Sequence, residues 1–119
     1  MISRAHRFHG DGSLRRVYSS GKTIHGPLFS IKTIANENRD TYRVAVVVSR
    51  KVHKSAVGRN RMRRRIYATV RLLAGDILKP CDIVITVFKD KLLQIPPGEL
   101  EKQVREQLTA AGILTKRVR

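Results

Sequence analysis

A chain of 119 residues with 25 Lys and Arg against 9 Asp and Glu carries a formal net charge of +16, which a compact domain tolerates best with a polyanionic partner to neutralise it. The length suits a single domain spanning 1–119; no apolar run approaches the roughly 18 to 20 residues that cross a bilayer, so nucleic acid is the expected partner rather than a membrane. The only cysteine, Cys81, cannot form an internal disulfide, and the start, MISRAHRFHGDGS, lacks the apolar centre of a secretory signal; a reducing cytoplasmic setting is expected.

The segment SLRRVYSSG reads as a short helix, with Ser13 as cap, Leu14, Val17 and Tyr18 at i, i+3, i+4, and Gly21 ending it in the left-handed conformation. Arg15 and Arg16 face away from that stripe. Two short strands are expected between Lys22 and Thr33, divided by Gly26-Pro27. After the polar turn NENRD, the run YRVAVVVS is apolar on both faces, which predicts a strand in the centre of a sheet. A helix is predicted from about Ser55 to Ala74, closed by Gly75. Pro80 separates it from DIVITVF, a second buried strand. A terminal amphipathic helix follows, with Leu100, Val104 and Leu108 inward and Gly112 as its stop. The order is αβββαβα, an α+β sandwich with helices on one mixed sheet.

The predicted central helix holds the stretch SAVGRNRMRRRIYATVR, which has six arginines and no acidic residue. At 100° per residue Met62, Ile66, Thr69, Val70 and Leu73 fall on one side, and Asn60, Arg63, Arg64, Tyr67 and Arg71 on the other. A localisation peptide has no need of an apolar stripe in register with its charges. Two readings of the basic side remain: a solvated surface, or a phosphate-binding one. No carboxylate stands three or four residues away to pair these arginines, so their repulsion is uncompensated, which favours phosphate. Arg59, Asn60 and Arg61 lie in the first turns, where free amides and the helix dipole already attract anions and guanidinium supplies paired donors. Arg50, Lys51 and Lys54 precede them and extend the patch if the chain folds back beside the helix start.

No catalytic or metal-ligating residue is assigned. His6 and His9 have no Cys or carboxylate cluster to complete a metal site. His25 and His53 read as surface groups or neighbours of a nucleic-acid partner, and Cys81 as a small apolar filler.

The stretch VAVVVSRKVHKSAVGRNRMRRRI resembles the signature of the bacterial ribonuclease P protein subunit, and similarity extends through RFHGDGSLRRVYSSGKTIHGPLFSIK, the DIVITV strand and the final helix. The resemblance implies the fold of the second domain of ribosomal protein S5, with an unusual left-handed βαβ crossover that departs from the usual right-handed rule. It also implies an accessory role in endonucleolytic removal of 5′ leaders from precursor tRNA, with catalysis by Mg²⁺ held on an RNA subunit. Under this resemblance Arg50, Lys51, Lys54, Arg59, Asn60, Arg61, Arg63, Arg64 and Arg71 meet the catalytic RNA. A cleft of Leu14, Tyr18, Phe29, Lys32 and Tyr67 takes the precursor leader, bordered by the central helix. Leu14 stands where the family commonly has Phe, Lys32 where some members have an aromatic, and Tyr67 where a basic residue is frequent. The partners implied are the catalytic RNA and precursor tRNA, the protein itself being a monomer. The residues alone also fit a small ribosomal or ribosome-assembly protein; a helix-based DNA regulator would need a second half-helix and usually a dimer.

Overall fold

The structure, a computed structural model, describes residues 17–19, 21–36, 41–77 and 80–114. Four strands, β1 (Lys22–His25), β2 (Phe29–Ala35), β3 (Arg43–Val48) and β4 (Cys81–Val87), form one sheet in the order β1-β2-β4-β3. β1 and β2 form an antiparallel hairpin, β2 and β4 are antiparallel, and β3 and β4 run parallel. The parallel pair is joined through helix α1 (Ala56–Leu73), and helix α2 (Pro97–Ala110) follows β4. Val17–Ser19 are helical, in agreement with a first helix ahead of β1. Ser13 and Leu14 lie outside the described residues.

Register decides what each face of the sheet carries. Phe29, Ile31, Val44, Val46, Ile83, Ile85 and Val87 are paired with one another across β2, β4 and β3, so they share a face. They form one buried cluster with Met62, Ile66 and Val70 of α1 and Leu100, Val104 and Leu108 of α2. Side chains of this size contribute about 1.5–3 kcal/mol each when fully buried, so both helices are fastened to that face. All five residues assigned to the inner stripe of α1 are buried, joined by Gly58.

Three expectations change. β3 is an edge strand, and β4 holds the centre with six of its seven residues buried. The two-faced apolar pattern of β3 misled because Ala45 and Val47, on its second face, are only partly covered. Gly21 does not adopt a left-handed conformation; among the described residues only Gly112, with φ +80°, does. Gly21 is required by closeness instead: its N–H donates to the Val17 carbonyl at 2.8 Å, and a Cβ there would stand 2.5 Å from the same oxygen. Gly75 is likewise not left-handed; α1 runs into a 3₁₀ turn over Ala74–Asp76.

A carboxylate is sunk into the sheet. Asp82, 1 % exposed, accepts from Arg43 Nε and Nη2, each at 2.9 Å, and from Asn36 Nδ2 at 2.9 Å. Three donors thus replace the water this carboxylate gave up. Beside it, burial first and the Asp82 charge second push the Cys81 thiol up to about 11, against a hydrogen bond with Thr33. Cys81 opens β4 as a buried, protonated filler.

Candidate RNA interface

Ser55 caps α1: its Oγ accepts from the Gly58 amide at 3.2 Å, which starts the helix directly after the β3–α1 loop. No acidic residue stands in the first turn. From that start the solvent side carries Asn60, Arg61, Arg64 and Arg71, all exposed, with Arg63 on its flank and half-buried. Arg50, Lys51 and Lys54 are exposed in the loop that leads into the same end of the helix. The described residues therefore place eight cations, Arg59 included, and one amide along a loop and the outer side of a helix whose N-terminus adds its own positive potential.

Not every arginine of the stretch is turned outward. Arg65 bonds through Nη1 to the Leu92 carbonyl and through Nη2 to the Ile95 carbonyl at 2.5 Å, so it fastens the turn after β4 to α1. Arg59 Nη1 donates to the carbonyls of His53 at 2.9 Å and Lys54 at 2.8 Å, holding the loop to the first turn. Arg59 thus shapes the patch as well as adding charge. Tyr67 is half-buried at the open edge of β3, where its hydroxyl accepts the Val46 amide at 3.2 Å. That amide points away from the sheet, and the phenol satisfies an edge donor.

The second face of the sheet is different in kind. Ser30 and Val47 pair with Thr86, and Lys32 and Ala45 pair with Val84; Val84 is buried and the other five are partly exposed. Tyr18, 47 % exposed, lies at this face: Lys32 Nζ donates to the Tyr18 carbonyl at 2.5 Å and stands 6.0 Å from the ring centroid. Continuing the alternation of β4 puts Phe88, 41 % exposed, on the side of Thr86, and its amide extends the ladder to the Leu28 carbonyl at 3.0 Å. Exposed Lys89 and Lys91 follow. β3 and β4 are parallel, so Phe88 and Lys89 emerge at the same end of the sheet as Arg50 and Lys51. Sequence reasoning missed this group; an aromatic closing a buried apolar strand gives no sign of exposure.

Residues 2–112 match the family described as Ribonuclease P. The chain belongs to the ribonuclease P protein family. The ribonuclease P protein component of Chloroflexus aurantiacus is 36% identical over 113 residues, covering 95% of this chain and 82% of that protein. That of Synechococcus elongatus is 29% identical over 116 residues, covering 95% of each. In fold, the chain matches the Staphylococcus aureus RNase P protein with a TM-score of 0.81 at 22% identity, covering 94% of this chain and 100% of that one. For the Thermotoga maritima protein the values are 0.73 and 23%, with 82% and 89% covered.

The four described residues of the expected cleft do not form one group. Tyr18 and Lys32 are together on the second sheet face. Phe29 is fully buried on the opposite, helix-bearing face and is removed from the cleft; Ser30, Lys32 and Ile34 are the β2 residues on the outward face. Tyr67 is also removed, since it sits at the β3 edge on the helix that packs against the other face. Leu14 lies outside the described residues. Nor does α1 border this cleft, for its buried stripe is on the far side of the sheet.

Proposed function

We infer that the chain is the protein component of ribonuclease P, which takes part in removing the 5′ leader from precursor tRNA. The observation that carries this is the family match over residues 2–112, joined to an outward line of cations on the matching signature.

On this reading two surfaces divide the work. Arg50, Lys51, Lys54, Asn60, Arg61, Arg63, Arg64 and Arg71 meet phosphates of the RNA subunit, with Arg59 bracing the loop. Guanidinium groups present paired donors to phosphate oxygens and release counterions on contact. The second face of the sheet takes the single-stranded leader, with Tyr18 as its stacking ring and Lys32 as its nearby cation. Phe88 and Lys89 extend that face toward the basic loop. A ring face stacks on any base, so the leader is held with little sequence preference. Mg²⁺ ions bound by the RNA subunit would activate a water molecule as the nucleophile and stabilise the leaving oxygen. The protein's cations reduce repulsion between two polyanions brought together at that centre.

Adding the full chain to the RNA subunit of the same organism is expected to raise precursor cleavage at low Mg²⁺, where repulsion between the RNAs is least screened. Absence of stimulation at every salt concentration contradicts the reading. Tyr18→Ala is expected to leave RNA-subunit binding unchanged and to weaken binding of leader-bearing precursor by about 1–3 kcal/mol. Equal weakening toward mature tRNA contradicts the cleft assignment.

A further inference from the structure

His53, partly buried in the loop between β3 and α1, joins three features of the helix start. Its Nδ1 accepts from the Ser55 amide at 3.2 Å, which puts the ring proton on Nε2. This is the imidazole counterpart of the turn in which an Asn or Asp side chain accepts the amide two residues on. The ring also fills the space over Gly58: a Cβ there would stand 2.3 Å from Cε1, 2.5 Å from Nδ1 and 2.8 Å from Nε2. Gly58 has no positive φ, so the backbone conformation does not demand glycine; the imidazole does. Glycine is a poorer helix former than alanine, and here it makes room for the ring. Finally, the carbonyl of His53 is one of the two that hold Arg59 Nη1.

Left to themselves, Arg50, Lys51, Lys54 and Arg59 repel one another and spread, and ordering them on binding would cost affinity. We propose that His53, seated on Gly58, is a positioning residue for RNA binding, holding the loop of residues 50–54 against the first turn of α1 so that its cations continue the helix's basic line. The inference rests on the RNA-subunit reading above and adds to it a residue that need not touch RNA.

The test measures the affinity of the full chain for the RNA subunit of the same organism, with thermal unfolding of each variant alongside. His53→Ala is expected to weaken binding about tenfold. His53→Asn, whose Oδ1 can take the same amide, is expected to stay within about threefold of the parent. Gly58→Ala displaces the ring and is expected to lose about tenfold. The double variant His53→Ala with Gly58→Ala regains thermal stability, because the clash is gone and the helix former is better, yet remains about tenfold weak. Parental affinity in folded His53→Ala, equal losses in His53→Ala and His53→Asn, or return of affinity with stability in the double variant overturns the proposal. If His53→Ala does not fold, the double variant and His53→Asn decide. Failure of the parent chain to bind the RNA overturns the underlying reading itself, a result distinguishable from all of these.

Discussion

Replacing Arg61 and Arg64 together by alanine is expected to weaken binding of the RNA subunit about a hundredfold, because each guanidinium–phosphate contact is worth about 1.5 kcal/mol or more. Both side chains are exposed on the solvent side of α1, and neither makes a hydrogen bond or ion pair among the described residues. Their removal should therefore leave the fold intact. Thermal unfolding of the double variant is expected to match the parent or rise slightly, since two uncompensated like charges are gone. Salt dependence gives the sharper readout: losing two phosphate contacts lowers the slope of log affinity against log salt by about 1.4 to 1.8. An affinity loss without a change in slope would mean that these arginines act by packing and not by displacing counterions. Arg59→Ala is a poorer probe, because its Nη1 also holds the His53 and Lys54 carbonyls and its loss releases the loop.

Arg43→Met is expected to lower stability by about 3–5 kcal/mol, a large share of the roughly 5–15 kcal/mol of a typical domain. The substitution strands the Asp82 carboxylate, 1 % exposed, with the Asn36 amide as its remaining donor of the three described. Breaking one side of a buried pair costs more than the pair was worth, because the partner keeps its desolvation penalty and loses its compensation. Arg43→Met with Asp82→Leu should recover most of the loss, since neither charge then remains to be desolvated. Chemical denaturation checks this through the midpoint at unchanged m-value. A midpoint that stays lost in the double variant would assign the effect to packing at the end of β4 instead.

These two experiments concern parts of the molecule that were unequally legible in the sequence. The helical period alone put Met62, Ile66, Thr69, Val70 and Leu73 on the inner stripe of α1 and sent Arg64 and Arg71 outward, because a long helix has one dominant periodicity. It could not tell that Arg65, on the flank of that stripe, would close onto the Leu92 and Ile95 carbonyls, for that contact spans elements far apart in the chain. Strand order was equally hidden. A run such as RVAVVV has the same composition whether it lies central or at an edge, and the edge donor at Val46 is covered by Tyr67, 21 residues further along on the next helix. The cleft failed on a smaller ambiguity. Phe29 and Lys32 belong to one strand, but their separation of three residues puts them on opposite faces, and the aromatic took the core. Charge and period point to a polyanion, and it is the family resemblance that says which RNA to expect.

The division of labour between the basic helix and the second sheet face is tested most directly by tethered cleavage. An iron chelate is attached to the thiol of Arg64→Cys or of Ser30→Cys in the assembled complex with precursor tRNA. Cys81 stays unlabelled because it is buried and its thiol is held at about 11. The account predicts that the probe at position 64 cuts the RNA subunit and that the probe at position 30 cuts the precursor leader. Cutting of the leader from position 64 and of the RNA subunit from position 30 would contradict it.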